Sequence, residues 1–201
     1  ETKKLIAIYG ITAIMNFLHS QDMIHRDLKS DNVELDFCYL PNIKGFDIAM
    51  FNSKDKKVIC DNIKGTAAYL APEVFEKKEY SEKSDVYSYS LVLYEIITEK
   101  EPFEGYSNAF EIEEEICKKK SRPEFQQPIN KEYRQLIERC WSQNPQDRPT
   151  FSEILIELET NDKYITFQID KQEYHQCVNY IKETKSFFDK YEKIISSKRS
   201  Q

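Results

Sequence analysis

The sequence predicts a mainly α-helical domain, a helical bundle with a few short β-strands, and three observations lead there. Two long stretches, Leu5–Ser20 and Ser84–Thr98, are apolar on nearly every side, which marks helices inside a core. Three later stretches place apolar residues at helical intervals on one side, as helices that bury a single stripe do. Between the two groups only Val33–Leu40 and Ile43–Met50 read as short strands or loop segments, with bends expected at Pro41 and Gly45.

The elements follow in order. Lys3 and Lys4 precede a run free of Lys, Arg, Asp and Glu as far as Gln21, superficially a leader or a membrane span. It falls short of about 20 apolar residues. Gly10, Thr12, Asn16, His19 and Ser20 interrupt it and it lacks a small-x-small cleavage site. It therefore reads as a core helix, with His19 a hydrogen-bonded structural residue. Ser84–Thr98 is the second buried helix. Glu113–Lys120 reads as a solvated helix face, with Glu114–Lys118 and Glu115–Lys119 in the favourable i,i+4 order. Tyr133, Leu136, Ile137, Cys140 and Trp141 form one stripe, and Trp141 is assigned to the core. Thr150 with Glu153 matches a capping box that opens the next helix, and Pro149 stops the segment before it. Tyr174, Cys177, Val178, Ile181, Phe188, Tyr191 and Ile195 predict a tail helix packed on the rest.

Bulk composition narrows the function. Of 201 residues 29 are Lys or Arg and 35 Asp or Glu, a net charge of −6, which argues against non-specific nucleic-acid binding. Thirteen Tyr and 12 Phe supply a core. Five scattered cysteines with no C-x-x-C pair support neither a disulfide framework nor a zinc site. Protein partners, no nucleic acid, no membrane and a reducing, cytoplasmic location are the expectation. The 4 glycines lie too far apart to build a phosphate-cradling loop.

The chemistry concentrates in His25-Arg26-Asp27-Leu28-Lys29-Ser30-Asp31-Asn32, which matches H-R-D-L-x-x-x-N. Phosphoryl transfer to a hydroxyl asks for a carboxylate that orients the nucleophile and for cations that neutralise the moving group. Three more segments follow in order: Gly65 to Glu73 ending in A-P-E, Ser84-Asp85-Val86, and Cys140-Trp141 through Asp147-Arg148-Pro149. Together they resemble the C-terminal lobe of the eukaryotic protein kinases, over about Leu5 to Leu158.

The resemblance implies roles. Asp27 would be the catalytic base, Lys29 the cation facing the phosphoryl group, and Asn32 a magnesium ligand. Arg26 would meet a phosphorylated or acidic activation segment, for which Ser53 and Thr66 are available. Thr66, Pro72 and Glu73 would belong to the substrate-side segment. His25 and Phe46 would be packing residues, Phe46 lying beneath a helix of the other lobe. Asp85 would anchor the catalytic loop, and Arg148 would pair with Glu73. ATP and Mg²⁺ would be the cofactors in the parent protein, with the nucleotide-covering N-lobe upstream. Lys29 with Thr66 resembles serine/threonine enzymes, and the K-S-D-N and C-W…R-P segments look most like the tyrosine-kinase-like group. Residues 1–160 would form the lobe and 161–201 a helical extension.

Two departures stand against the pattern. Where the family has D-F-G, this chain has Gly45-Phe46-Asp47, so glycine stands at the metal-binding carboxylate. Asp47, two residues on, would replace it if the segment were extended, since i and i+2 share a side. Glu34 stands where an apolar floor under adenine is usual, and an unpaired carboxylate there is costly unless it turns outward or pairs locally. A serine/threonine kinase fragment and a pseudokinase acting as a protein-binding scaffold are both open on this reading.

Overall fold

The computed structural model describes residues 1–52, 57–166 and 168–200, which leaves Ser53 outside. Helix α1 (Thr2–Ser20) runs through the centre of the molecule. Leu5, Ile8, Ile11, Ile14 and Leu18 have no exposed surface, as its all-round apolar sequence requires. Helix α3 (Glu82–Thr98) lies beside it, buried from Ser84 to Tyr94. The two are joined inside the core where Thr12 Oγ1 meets the Tyr89 hydroxyl at 2.6 Å. Helix α2 is the short Pro72–Lys77. Helix α5 (Lys131–Cys140) packs its stripe on α3, and α6 (Phe151–Thr160) packs on α1. Trp141 caps α5 and is buried against Phe125.

Both ends of this frame are capped as sequence chemistry dictates. Thr150 Oγ1 accepts the Glu153 N–H at 3.2 Å while the Glu153 carboxylate accepts the Thr150 N–H at 2.7 Å, the reciprocal box that stops helix fraying. Ser81 and Ser84 form an equivalent box at the start of α3, where sequence reading had not placed one.

The strands are shorter than their apolar runs suggest. Among the described residues they make three two-stranded antiparallel sheets: β1 (Met23–Ile24) with β4 (Met50–Phe51), β2 (Val33–Leu35) with β3 (Pro41–Ile43), and β5 (Val58–Ile59) with β6 (Glu79–Tyr80). Pro41 opens a strand and does not bend the chain, a position where its missing N–H costs no ladder bond. The bend falls before it, where Tyr39 takes a φ of 62° and the Asp36 carboxylate accepts the N–H groups of Cys38 and Leu40 at 2.8 and 2.9 Å.

Two other expectations change. Helix α4 (Ala109–Glu113) continues as a π turn over Glu114–Lys118, closed by Lys119 N–H to the Glu114 carbonyl. The Glu115–Lys119 pair forms at 2.6 Å, whereas Lys118 lies over the Phe110 ring. The tail is two helices, α7 (Lys171–Glu183) and α8 (Asp189–Arg199), separated by a 3-10 turn at Lys185–Phe187. A straight helix through both would be about 43 Å long at 1.5 Å per residue, well beyond the 19 residues of α1. The turn instead folds α8 back onto the end of α1, where Phe188 stacks on Phe17 at 4.8 Å. No helix among the described residues is long and apolar enough to cross a membrane.

Candidate functional site

Four segments meet around the loop that follows β1. Asp85, in the first turn of α3 and fully buried, accepts the N–H groups of His25 and Arg26 at 2.8 and 2.9 Å, and its third contact is His19 Nε2 at 2.9 Å. These bonds hold Arg26 at a φ of 71°, a left-handed conformation that costs a non-glycine residue about 1–3 kcal/mol. His25 is wholly buried between Asp85 and Phe46, with the two rings edge to face at 4.8 Å. Its Nε2 lies 2.8 Å from the Lys44 carbonyl and its Nδ1 accepts the Asp27 N–H at 3.2 Å. A carbonyl only accepts and an amide only donates, so the proton sits on Nε2. Burial pushes the His25 pKa down.

Asp27 is the point where the segments converge. Its Oδ1 accepts the N–H and hydroxyl of Thr66 at 3.1 and 2.8 Å. Its Oδ2 and its main-chain carbonyl both accept from Asn32 Nδ2, at 3.1 and 2.7 Å. Lys29 is half-buried beside them, 3.5 Å from the exposed Asp31. Asp27, Asn32 and Thr66 are thus brought to one place, whereas the side-chain partner of Lys29 is Asp31.

Arg26 points away from Asp27. Its guanidinium stacks on Tyr80 at 4.0 Å and donates to the Ile48 carbonyl at 3.2 Å. Nε and Nη2 are buried with no hydrogen-bond partner among the described residues, each an unsatisfied donor worth about 1–3 kcal/mol. Further along, Pro72 opens α2 at its first turn, and Glu73 makes a two-pronged pair with Arg148 at 2.7 and 2.8 Å. Arg148 is 1% exposed and also donates to the carbonyls of Ser142 and Lys83.

One group escaped sequence reading. Tyr69 donates its hydroxyl to Glu95 and lies 3.1 Å from Ser30 Oγ, which ties the Ala67–Tyr69 turn to the loop and to α3. Burial raises the Glu95 pKa. The available signal was a lone acid late in an otherwise apolar run.

This geometry can be set beside known proteins. A family model described as protein kinase domain matches residues 2–158. The chain belongs to the protein kinase family. It is 38% identical over 148 residues to dual specificity protein kinase shkC of Dictyostelium discoideum, covering 72% of this chain and 29% of that one. It is 40% identical over 149 residues to the probable serine/threonine-protein kinase drkC of the same organism, covering 72% and 20%. To serine/threonine/tyrosine-protein kinase HT1 of Arabidopsis thaliana it is 36% identical over 168 residues, covering 82% and 41%. The chain therefore spans well under half the length of these kinases, and the described residues within 2–158 fold as the helical C-terminal lobe.

The kinase metal position does not fit a magnesium ion here. Gly45 takes a φ of 80°, and a Cβ added to it would stand 2.7 Å from Asn32 Cγ and 2.9 Å from Asn32 Oδ1. The space of the missing carboxylate is filled by Asn32, whose amide is engaged with Asp27. Asp47 does not replace it by the route sequence suggested: Phe46–Ile48 is a 3-10 turn and not an extended segment, so residues two apart do not share a side, and Asp47 is exposed. No group of three or more His, Cys, Asp or Glu side chains that could hold a metal ion is found among the described residues. Glu34 turns outward and pairs with Lys44, so its charge is solvated and no buried carboxylate arises.

Proposed function

We propose that this chain is the substrate-side lobe of a serine/threonine-type kinase domain of the tyrosine-kinase-like kind, retained for holding protein partners and disabled for phosphoryl transfer. The Gly45–Asn32 contact carries this reading, because a carboxylate cannot enter at residue 45 without displacing an amide that two Asp27 oxygens hold. The Thr66 to Glu73 segment, fastened through Asp27 and Arg148, is then a rigid platform for a protein, and residues 161–201 are an added helical extension.

A second reading, a competent kinase that uses Asp27, Lys29 and Asn32 with ATP and Mg²⁺ supplied through an upstream lobe, draws on one observation. Asp27 Oδ2 accepts one hydrogen bond, from Asn32, and so keeps capacity to accept from a protein hydroxyl, as a base requires. The two separate by assaying phosphate transfer in the full-length protein and its Asp27→Ala variant, alongside thermal shift with ATP and Mg²⁺. Equal background transfer from both and no magnesium-dependent stabilisation is the expected result. Transfer that Asp27→Ala abolishes would overturn the scaffold reading.

A further inference from the structure

Helix α8 lies beyond the stretch that the kinase family model matches, yet its polar and aromatic contacts converge on the segment around Gly45. Tyr191 has no exposed surface. Its ring lies 6.1 Å from Phe46, and its hydroxyl accepts the Ile43 N–H at 2.9 Å, on the edge of β3 that β2 leaves unpaired. Lys198 donates to the Asp47 carbonyl at 3.3 Å. Arg199 donates to the Gln21 carbonyl at 2.9 Å and covers the Phe51 ring at 5.0 Å. One helix thus binds the backbone two residues before Gly45 and two residues after it, and seats a buried ring on the side chain between.

We infer that α8 is an intramolecular clamp that holds the Gly45-Phe46-Asp47 turn against Asn32 and so keeps the metal position closed. Gly45 takes up a conformation that the local sequence does not impose, since glycine populates positive and negative φ with similar ease. Something outside the turn must select it, and the bonds to Ile43 and Asp47 flank it on both sides. Neither is a strong interaction alone: the Tyr191–Ile43 bond is neutral, and the charged Lys198 bond is long and exposed at 3.3 Å. The buried Tyr191 ring adds the apolar contact that makes them act together. Release of α8 frees Phe46, the β3 edge and the turn in one step, so the tail regulates the same site whose closure underlies the proposed function. The consequence for that site rests on the reading of Gly45 given above, whereas the clamp itself is tested without any catalytic readout.

The test is residue-resolved amide exchange and side-chain amide NMR on the complete chain, its Tyr191→Phe and Lys198→Met variants, and a chain ending at Thr184. Tyr191→Phe keeps the ring and removes the acceptor, so Ile43 exchange rises about tenfold while α3 and α5 are unchanged. Removal of the tail speeds exchange across Ile43 to Phe51 and shifts the Asn32 side-chain amide signal, which loss of a merely adjacent packing element would leave in place. A peptide of residues 185–201 added in trans reverses both effects. Unchanged Ile43 exchange in Tyr191→Phe, or an Asn32 signal that stays put when the tail is gone, would overturn the clamp. If the shortened chain does not fold, Ile43 exchange in Tyr191→Phe and the Asn32 signal in Lys198→Met decide it.

Discussion

Asp27, Asn32 and Thr66 show how far single residues carry the reading. Their places in kinase-like segments implied their roles, and the structure gathers them within hydrogen-bond distance. Glu34 was harder to read because its position in the motif says nothing of where its charge points; only the pairing with Lys44 across the β2–β3 edge does. Gly45 was legible as a missing carboxylate but not as a closed space, which depends on the Asn32 side chain. His25 gives the prediction at this scale. Burial holds the imidazole neutral and lowers its pKa, outweighing the opposite pull of the Asp85 and Asp27 charges, with His19 adding to the lowering. The unfolded chain takes up a proton as pH falls through about 6.5 and the folded chain does not. Stability present above that pH is therefore lost below it. Urea unfolding at pH 7.5 and 5.5 reads the loss, and His25→Gln flattens the difference; equal slopes in both proteins would remove His25 as its source.

Elements were legible in proportion to how completely they are buried. The all-round apolar runs became α1 and α3 with ends close to those expected, since no other element type hides such a surface. The tail was misread as continuous because its apolar spacing survives across the break at Thr184, where the chain takes extended angles. Periodicity reports which side is apolar and not whether the axis turns. The Thr150 box, by contrast, is local chemistry and needed no tertiary knowledge. The Thr150 N–H, as the main cause, and the Thr150 hydroxyl both donate to the Glu153 carboxylate and hold its pKa below the usual range. Thr150→Ala is expected to cost about 1 kcal/mol of stability, read as a lower urea midpoint with unchanged slope. A loss under a few tenths would mean that α6 is held by packing on α1 alone.

At the scale of the whole molecule, the lobe is fastened by bonds between residues far apart in the chain. Arg148 and Glu73 join the segment after Thr66 to the loop that precedes α6, with almost no solvent contact. Removing one partner leaves a charge buried without its counterpart, and Glu73→Ala is expected to destabilise the chain by about 3–5 kcal/mol. Calorimetry that finds less than about 1 kcal/mol would show that the pair is dispensable. The Asp170 N–H bond to Thr2 Oγ1 closes the other side of the molecule. The Arg199–Gln21 bond spans 178 positions of sequence, and that separation sets an order of events at the ribosome. Synthesis proceeds at about 5–20 residues per second and N-terminal portions leave the exit first. The loop after β1 and the Gly45 turn therefore exist for many seconds as nascent chain before Tyr191 and Arg199 have been made. During that interval the turn is free to sample other arrangements, and a chaperone that reaches it meets it without α8.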